Sequence, residues 1–138
     1  MDIFGDSNLI VPCETEWGKW WQTLEEVHVE VNVPKGTKSK EVKVDATNTD
    51  ITCIVAGKTI FSGKLFKKIK GSELIWSLED GGALLNILLV KLNYAGGEDP
   101  WPSLMGDFRY KFEQNAYEEM KKSTEMEKLK EQVMNRSI

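Results

Sequence analysis

From Thr23 onward the chain alternates strictly between apolar and polar residues. Val27, Val29, Val31 and Val33 share one parity, and Glu26, His28, Glu30 and Asn32 share the other. A period of two is that of a half-buried strand, ended here by Pro34 and Gly36. The same pattern predicts strands over residues 41–46, with Val42 and Val44 inward, and from Ile51 to Val55, with Cys53 between them on the same face. Gly57-Lys58 is a two-residue hairpin signal, since primed turns need positive φ. Further strands are expected over 59–66, over 73–79 with Leu74, Trp76 and Leu78 aligned, and over 83–92 after Asp80-Gly81-Gly82. The last is apolar on both parities and reads as a central strand covered on both faces. Six or seven short strands at even spacing suggest an antiparallel sandwich, in which each sheet covers the other's apolar side.

The pattern changes after Gly106. Residues 113–136 contain no Gly or Pro and are rich in Glu, Lys, Gln and Met, all good helix formers. Phe112, Ala116, Met120 and Thr124 fall four apart, Met126, Leu129 and Val133 extend a thin stripe, and Glu118 and Lys122 make an i,i+4 pair. One helix of about five or six turns follows. It is read either as folded back on the sandwich or solvated, or as a stalk that pairs with a second copy; polar Glu119 and Lys122 at seam positions weaken the stalk. Residues 1–16 show no sustained period and read as a flexible arm.

Composition sharpens this picture. With 41% hydrophobic and 29% charged residues over 138 positions, the chain has globular proportions and can bury a core. The net charge of −4 equals the contribution of the arm, which carries Asp2, Asp6, Glu14 and Glu16 without a basic residue. The body is close to neutral, which argues against general affinity for nucleic acid. No apolar run is long enough to span a bilayer, and the start lacks a signal-peptide pattern, so a cytosolic protein is expected.

Little here suggests catalysis. His28 is the single histidine and lies on the polar parity of a strand. Cys53 has core parity, Cys13 lies in the arm, and a disulfide between them is not expected in a reducing cytosol. Glu79 and Asp80 are adjacent, so on a strand they point apart, and Asp80 suits the turn that follows. No metal or cofactor set is present in the pattern. Binding features are clearer. Between Ile51 and Ser72 there is no Asp or Glu, while Lys58, Lys64, Lys67, Lys68 and Lys70 fall there. They are read either as solvated faces or as a basic patch for an acidic partner. Trp17, Trp20 and Trp21 crowd five residues; at least one is expected to pack the arm along the sandwich and one to be exposed, and the cluster is read either as capping the core or as partner contact.

Several of these stretches resemble a known family. Trp20-Trp21-Gln22-Thr23-Leu24-Glu25-Glu26-Val27, Val33-Pro34-Lys35-Gly36-Thr37, Gly57-Lys58-x-Ile60, Gly63-x-Leu65, Trp76-Ser77-Leu78-Glu79-Asp80 and Trp101-x-x-Leu104 are similar, in order and spacing, to the signature of NudC-type CS domains. The resemblance divides the chain into an arm (1–16), a CS domain (17–106) and a helical tail (107–138). It implies a sandwich of seven or eight strands and a non-enzymatic co-chaperone that assists heat-shock protein 90. It also implies clients such as the lissencephaly protein, a dynein regulator, and a cytoplasmic place near microtubules or centrosomes. The residues then expected to meet a protein partner are Trp17, Trp20, Gln22, Lys58, Lys64, Lys67, Lys68, Lys70, Glu79 and Asp80. The alternative is a structural adaptor that forms a homodimer through its C-terminal helix.

Overall fold

A computed structural model describes residues 11–92 and 100–136. Among these residues eight strands form two antiparallel sheets. Strands β1 (Cys13–Glu14), β2 (Gly18–Gln22), β3 (Glu26–Asn32), β7 (Ile75–Glu79) and β8 (Leu84–Val90) make a five-stranded sheet in the order β1-β2-β3-β8-β7. Strands β4 (Val42–Ala46), β5 (Asp50–Val55) and β6 (Lys58–Lys64) make the three-stranded sheet. The expected sandwich is present, with its mainly apolar core between the sheets. Val27, Val29 and Val31 of β3 and Leu85, Ile87 and Leu89 of β8 face Ile51, Cys53 and Val55 of β5 and Phe61 of β6 in one buried cluster.

The β5–β6 turn is one residue earlier than the sequence suggests. Val55 pairs with Lys58, so Ala56 and Gly57 are the turn residues, at φ of 51° and 79°. A primed turn needs both positive, and glycine takes the second at no steric cost. Residues 11–16 also depart from the arm. Cys13 pairs with Trp20 across β1 and β2 and is buried, and its Sγ accepts a bond from the Glu113 amide at 3.3 Å. The strand is only two residues long, too short to leave a periodic signal. Both cysteines are free thiols.

Helix α1 (Gln114–Arg136) starts where Glu113 caps it: the Glu113 carboxylate accepts bonds from the Asn115 and Ala116 amides at 3.0 and 2.8 Å. Phe112, Ala116, Met120 and Thr124 are buried, so the first part of the helix lies against the rest of the protein. Met126 and Leu129 are more than half exposed. Glu119 and Lys122 form an ion pair on its surface at 3.5 Å, and Glu118 accepts a bond from Gln114.

The outer face of the five-stranded sheet

The inward residues of β2 are Gly18, Trp20 and Gln22, all buried. That leaves Lys19 and Trp21 on the outside. By the same alternation β3 turns Glu26, His28, Glu30 and Asn32 outward, and β8 turns Leu84, Asn86, Leu88 and Val90 outward, all only partly covered or exposed. The expectation that β8 is covered on both faces is therefore corrected. It is central within its sheet, but only Leu85, Ile87 and Leu89 are buried. Trp76 and Leu78 on β7 do face inward, yet they are half-buried, because β7 is an edge strand.

Strand register brings these outward residues into rows. Trp21 pairs with His28, His28 with Leu88, and Leu88 with Ile75. Four strands at about 4.8 Å spacing make this an apolar and aromatic row of about 14 Å. Ile75 is 63% exposed. The Trp21 and His28 rings stack at 5.3 Å and 5°, and His28 Nε2 lies 3.2 Å from the Glu26 carboxylate. A polar row runs alongside: Lys19, Glu30, Asn86 and Ser77. Lys19 Nζ is 3.7 Å from Glu30, and Asn86 donates to the Glu79 carboxylate. Between the rows a groove of about 300 Å³ is lined by Trp21, His28, Glu30, Ile75, Asn86 and Leu88, among others.

The residues expected to meet a partner fall in different places. Trp17, Trp20 and Gln22 are corrected to interior positions. Trp17 packs between Phe61 and Tyr110, with ring centroids 5.0 and 5.1 Å away. Trp20 is 0% exposed, and its indole N–H donates to the Tyr110 carbonyl at 3.0 Å. Gln22 holds Trp101 at both backbone groups: its Nε2 donates to the Trp101 carbonyl and its Oε1 accepts from the Trp101 amide, each at 2.8 Å. The same Oε1 accepts from Lys91 Nζ at 2.8 Å. The third tryptophan, Trp21, is the ring that stays at the surface, because it has the opposite parity.

The lysines are not one patch either. Lys58 and Lys64 lie at opposite ends of β6, about 20 Å apart at about 3.4 Å per residue. Lys70 sits beside the end of β8, donating its amide to the Val90 carbonyl, with its ammonium 3.8 Å from Glu73. Lys64 ends β6, and Lys67 and Lys68 follow it within four residues of the chain. Glu79 belongs to the outer face, in register with Leu84, while Asp80 takes φ 55° in the turn. Leu84, Leu88 and Ile75 escaped the sequence reading of surface residues. The signal for Leu84 and Leu88 is the second apolar parity of β8, which reads as cover on both faces; Ile75 stands on the polar parity of β7.

Among the described residues no group of three or more His, Cys, Asp or Glu could hold a metal ion. Burial pushes the Cys53 thiol up to about 11 and raises that of Cys13 as well, so neither is an activated nucleophile. No helix among the described residues is long and apolar enough to cross a membrane.

The CS-domain family model matches residues 16–91. The chain belongs to the NudC family of CS-domain proteins. It is 37% identical over 102 residues to human NudC domain-containing protein 2, a match that covers 74% of this chain and 64% of that relative. The crystal structure of the Mus musculus NudC domain-containing protein 2 aligns with a TM-score of 0.51 and 30% identity, covering 89% of this chain and 92% of that one. The CS domain of the human KIAA1068 protein aligns with a TM-score of 0.57 and 28% identity, over 68% of this chain and 76% of that one. The matched CS domain thus begins within the segment read as an arm and ends at Lys91, before the segment that Gln22 clamps.

Proposed function

We propose that this chain is a protein-binding co-chaperone module of the NudC type and that it docks its partner on the outer face of the five-stranded sheet. The observation that carries this is the Trp21–His28–Leu88–Ile75 row. A sheet face normally turns polar residues to water, so a contiguous apolar row there marks an interaction site. Trp21 supplies a large ring already held flat by His28, which limits the side-chain entropy lost on binding. Glu26, Glu30 and Glu79 on the same face favour a partner with basic groups beside its apolar contact.

By the family resemblance, the partner is heat-shock protein 90, and the client stabilised is of the kind of the lissencephaly protein in the dynein pathway, in the cytoplasm. The CS domain is the working unit here, with the segment before it and the C-terminal helix as flanking elements. Calorimetry of the purified chain against each protein tests the reading, together with suppression of client aggregation. Binding that Leu88→Ser weakens is expected. No binding to either protein and no suppression of aggregation would sink it. The exposed Met126 and Leu129 of α1 favour the adaptor reading as an alternative. Sedimentation of the full chain decides it, a concentration-dependent dimer being the result the adaptor requires.

A further inference from the structure

The segment after the clamped Trp101 forms a second surface, away from the outer face and sharing no residue with it. It is tied to the end of the three-stranded sheet. Leu65 bridges Met105, the Phe66 amide donates to the Leu104 carbonyl at 3.1 Å, and the Gly106 amide donates to the Lys64 carbonyl at 2.8 Å. Two of its side chains are locked. Arg109 donates through Nε to the Asp107 carboxylate at 2.8 Å and through Nη2 to the Ser62 carbonyl at 3.0 Å. Tyr110 turns inward onto Trp17.

Phe108, between them, turns outward and is 57% exposed. Both Phe108 and Tyr110 are held in the left-handed region, at φ of 68° and 60°. That conformation is an outlier for bulky residues and persists only where the surrounding bonds impose it. For Phe108 the conformation belongs to a three-residue hairpin loop: its amide donates to the Met105 carbonyl at 3.1 Å, the Met105 amide donates to the Arg109 carbonyl at 3.3 Å, and the last loop residue takes the left-handed region. Its result is that one aromatic ring goes to the core and the other to solvent. The exposed ring is not isolated, since Phe66 lies at 5.8 Å and 59°, and the two make a shelf.

The surroundings of the shelf are basic. Lys64 and Lys68 are exposed, Lys67 follows Phe66, and Lys111 is exposed beyond Tyr110. Of the nearby acids, Asp107 is paired with Arg109, while Asp50, opposite Lys64 on β5, accepts from the Thr49 hydroxyl at 2.6 Å and keeps its charge, which leaves the lysines in excess. We infer that the Phe66–Phe108 shelf, with Lys64 and Lys68 beside it, is a second docking site that takes an acidic protein segment carrying an aromatic or large aliphatic side chain. The ring contact supplies short-range binding energy, and the lysines steer and orient the carboxylates. This site does not depend on the outer face, and either can fail alone.

The test uses the intact chain and two labelled peptides of Asp and Glu, one with a central Phe and one with Ser in its place, read by fluorescence polarisation. The Phe peptide is expected to bind about tenfold more tightly than the Ser peptide. Phe108→Ser should erase that difference, and Lys64→Glu with Lys68→Glu should weaken both peptides and flatten the dependence on salt between about 0.05 and about 0.3 M. Trp21→Ala should change nothing. Phe108→Gly controls for folding, since glycine adopts the left-handed backbone without strain; it should keep the parent melting temperature and lose the Phe-peptide preference. Equal affinity for the two peptides overturns the inference. So does a preference that survives Phe108→Ser, or one that Trp21→Ala removes.

Discussion

Replacing Gln22 by leucine tests how the structure is closed. Gln22 is fully buried and makes three hydrogen bonds through one amide: two to the backbone of Trp101 and one from Lys91, each at 2.8 Å. Leucine keeps the volume and loses all three. The Trp101 amide and carbonyl then lose buried partners, and the Lys91 ammonium, 4% exposed, keeps its bond to the Thr23 carbonyl at 2.7 Å but loses the amide oxygen. Two neutral bonds at about 1 kcal/mol and one to a charge at about 1.5–3 kcal/mol give roughly 3–5 kcal/mol of destabilisation. That is a large share of the roughly 5–15 kcal/mol typical of a domain. Urea unfolding followed by tryptophan fluorescence reads it directly. Adding Lys91→Met should cost less than Lys91→Met alone does in the parent, because the charge no longer has Gln22 as a partner to lose. A cost below about 1 kcal/mol for Gln22→Leu, or strict additivity of the two changes, would refute the clamp.

Three further outcomes follow from the same geometry. Trp21→Ala should weaken binding of the proposed chaperone partner by at least about tenfold while shifting stability by less than about 1 kcal/mol, since the ring is partly exposed and outside the core; calorimetry and a thermal melt check both. Gly18→Ala should cost more than about 3 kcal/mol, because a Cβ would stand 2.1 Å from the Glu30 carbonyl oxygen and force β2 from β3; urea unfolding measures it. The Cys53 thiol, raised by burial to about 11, should react with a thiol reagent at pH 8 only after denaturant is added. Its raised value also means that the unfolded chain loses this proton first as pH climbs above 9.0, so Cys53 withdraws stability between pH 9.0 and about 11, and Cys53→Ala should flatten that decline.

The sequence by itself determined the strands and their buried sides. Val27, Val29 and Val31, and Ile51, Cys53 and Val55, could face only inward, because a period of two fixes which residues of one strand share a face. It determined the helix as well, through the absence of Gly and Pro and the four-residue spacing of Phe112, Ala116 and Met120. The period does not say which strand lies beside which. Trp21, His28, Leu88 and Ile75 come from four strands, two of them more than forty residues further along the chain, and only the order β2-β3-β8-β7 makes them a row. Parity also cannot say whether a second apolar side is covered, so β8 read as enclosed when its outer side is a surface. Trp17 and Trp20 are assigned to partner contact from the sequence for a related reason. Their cover is supplied by Phe61, Tyr110 and Phe112, distant residues that long-range packing brings over them. Phe108 owes its outward position to a three-residue hairpin loop closed between Met105 and Arg109, a local turn that leaves no periodic trace in the sequence.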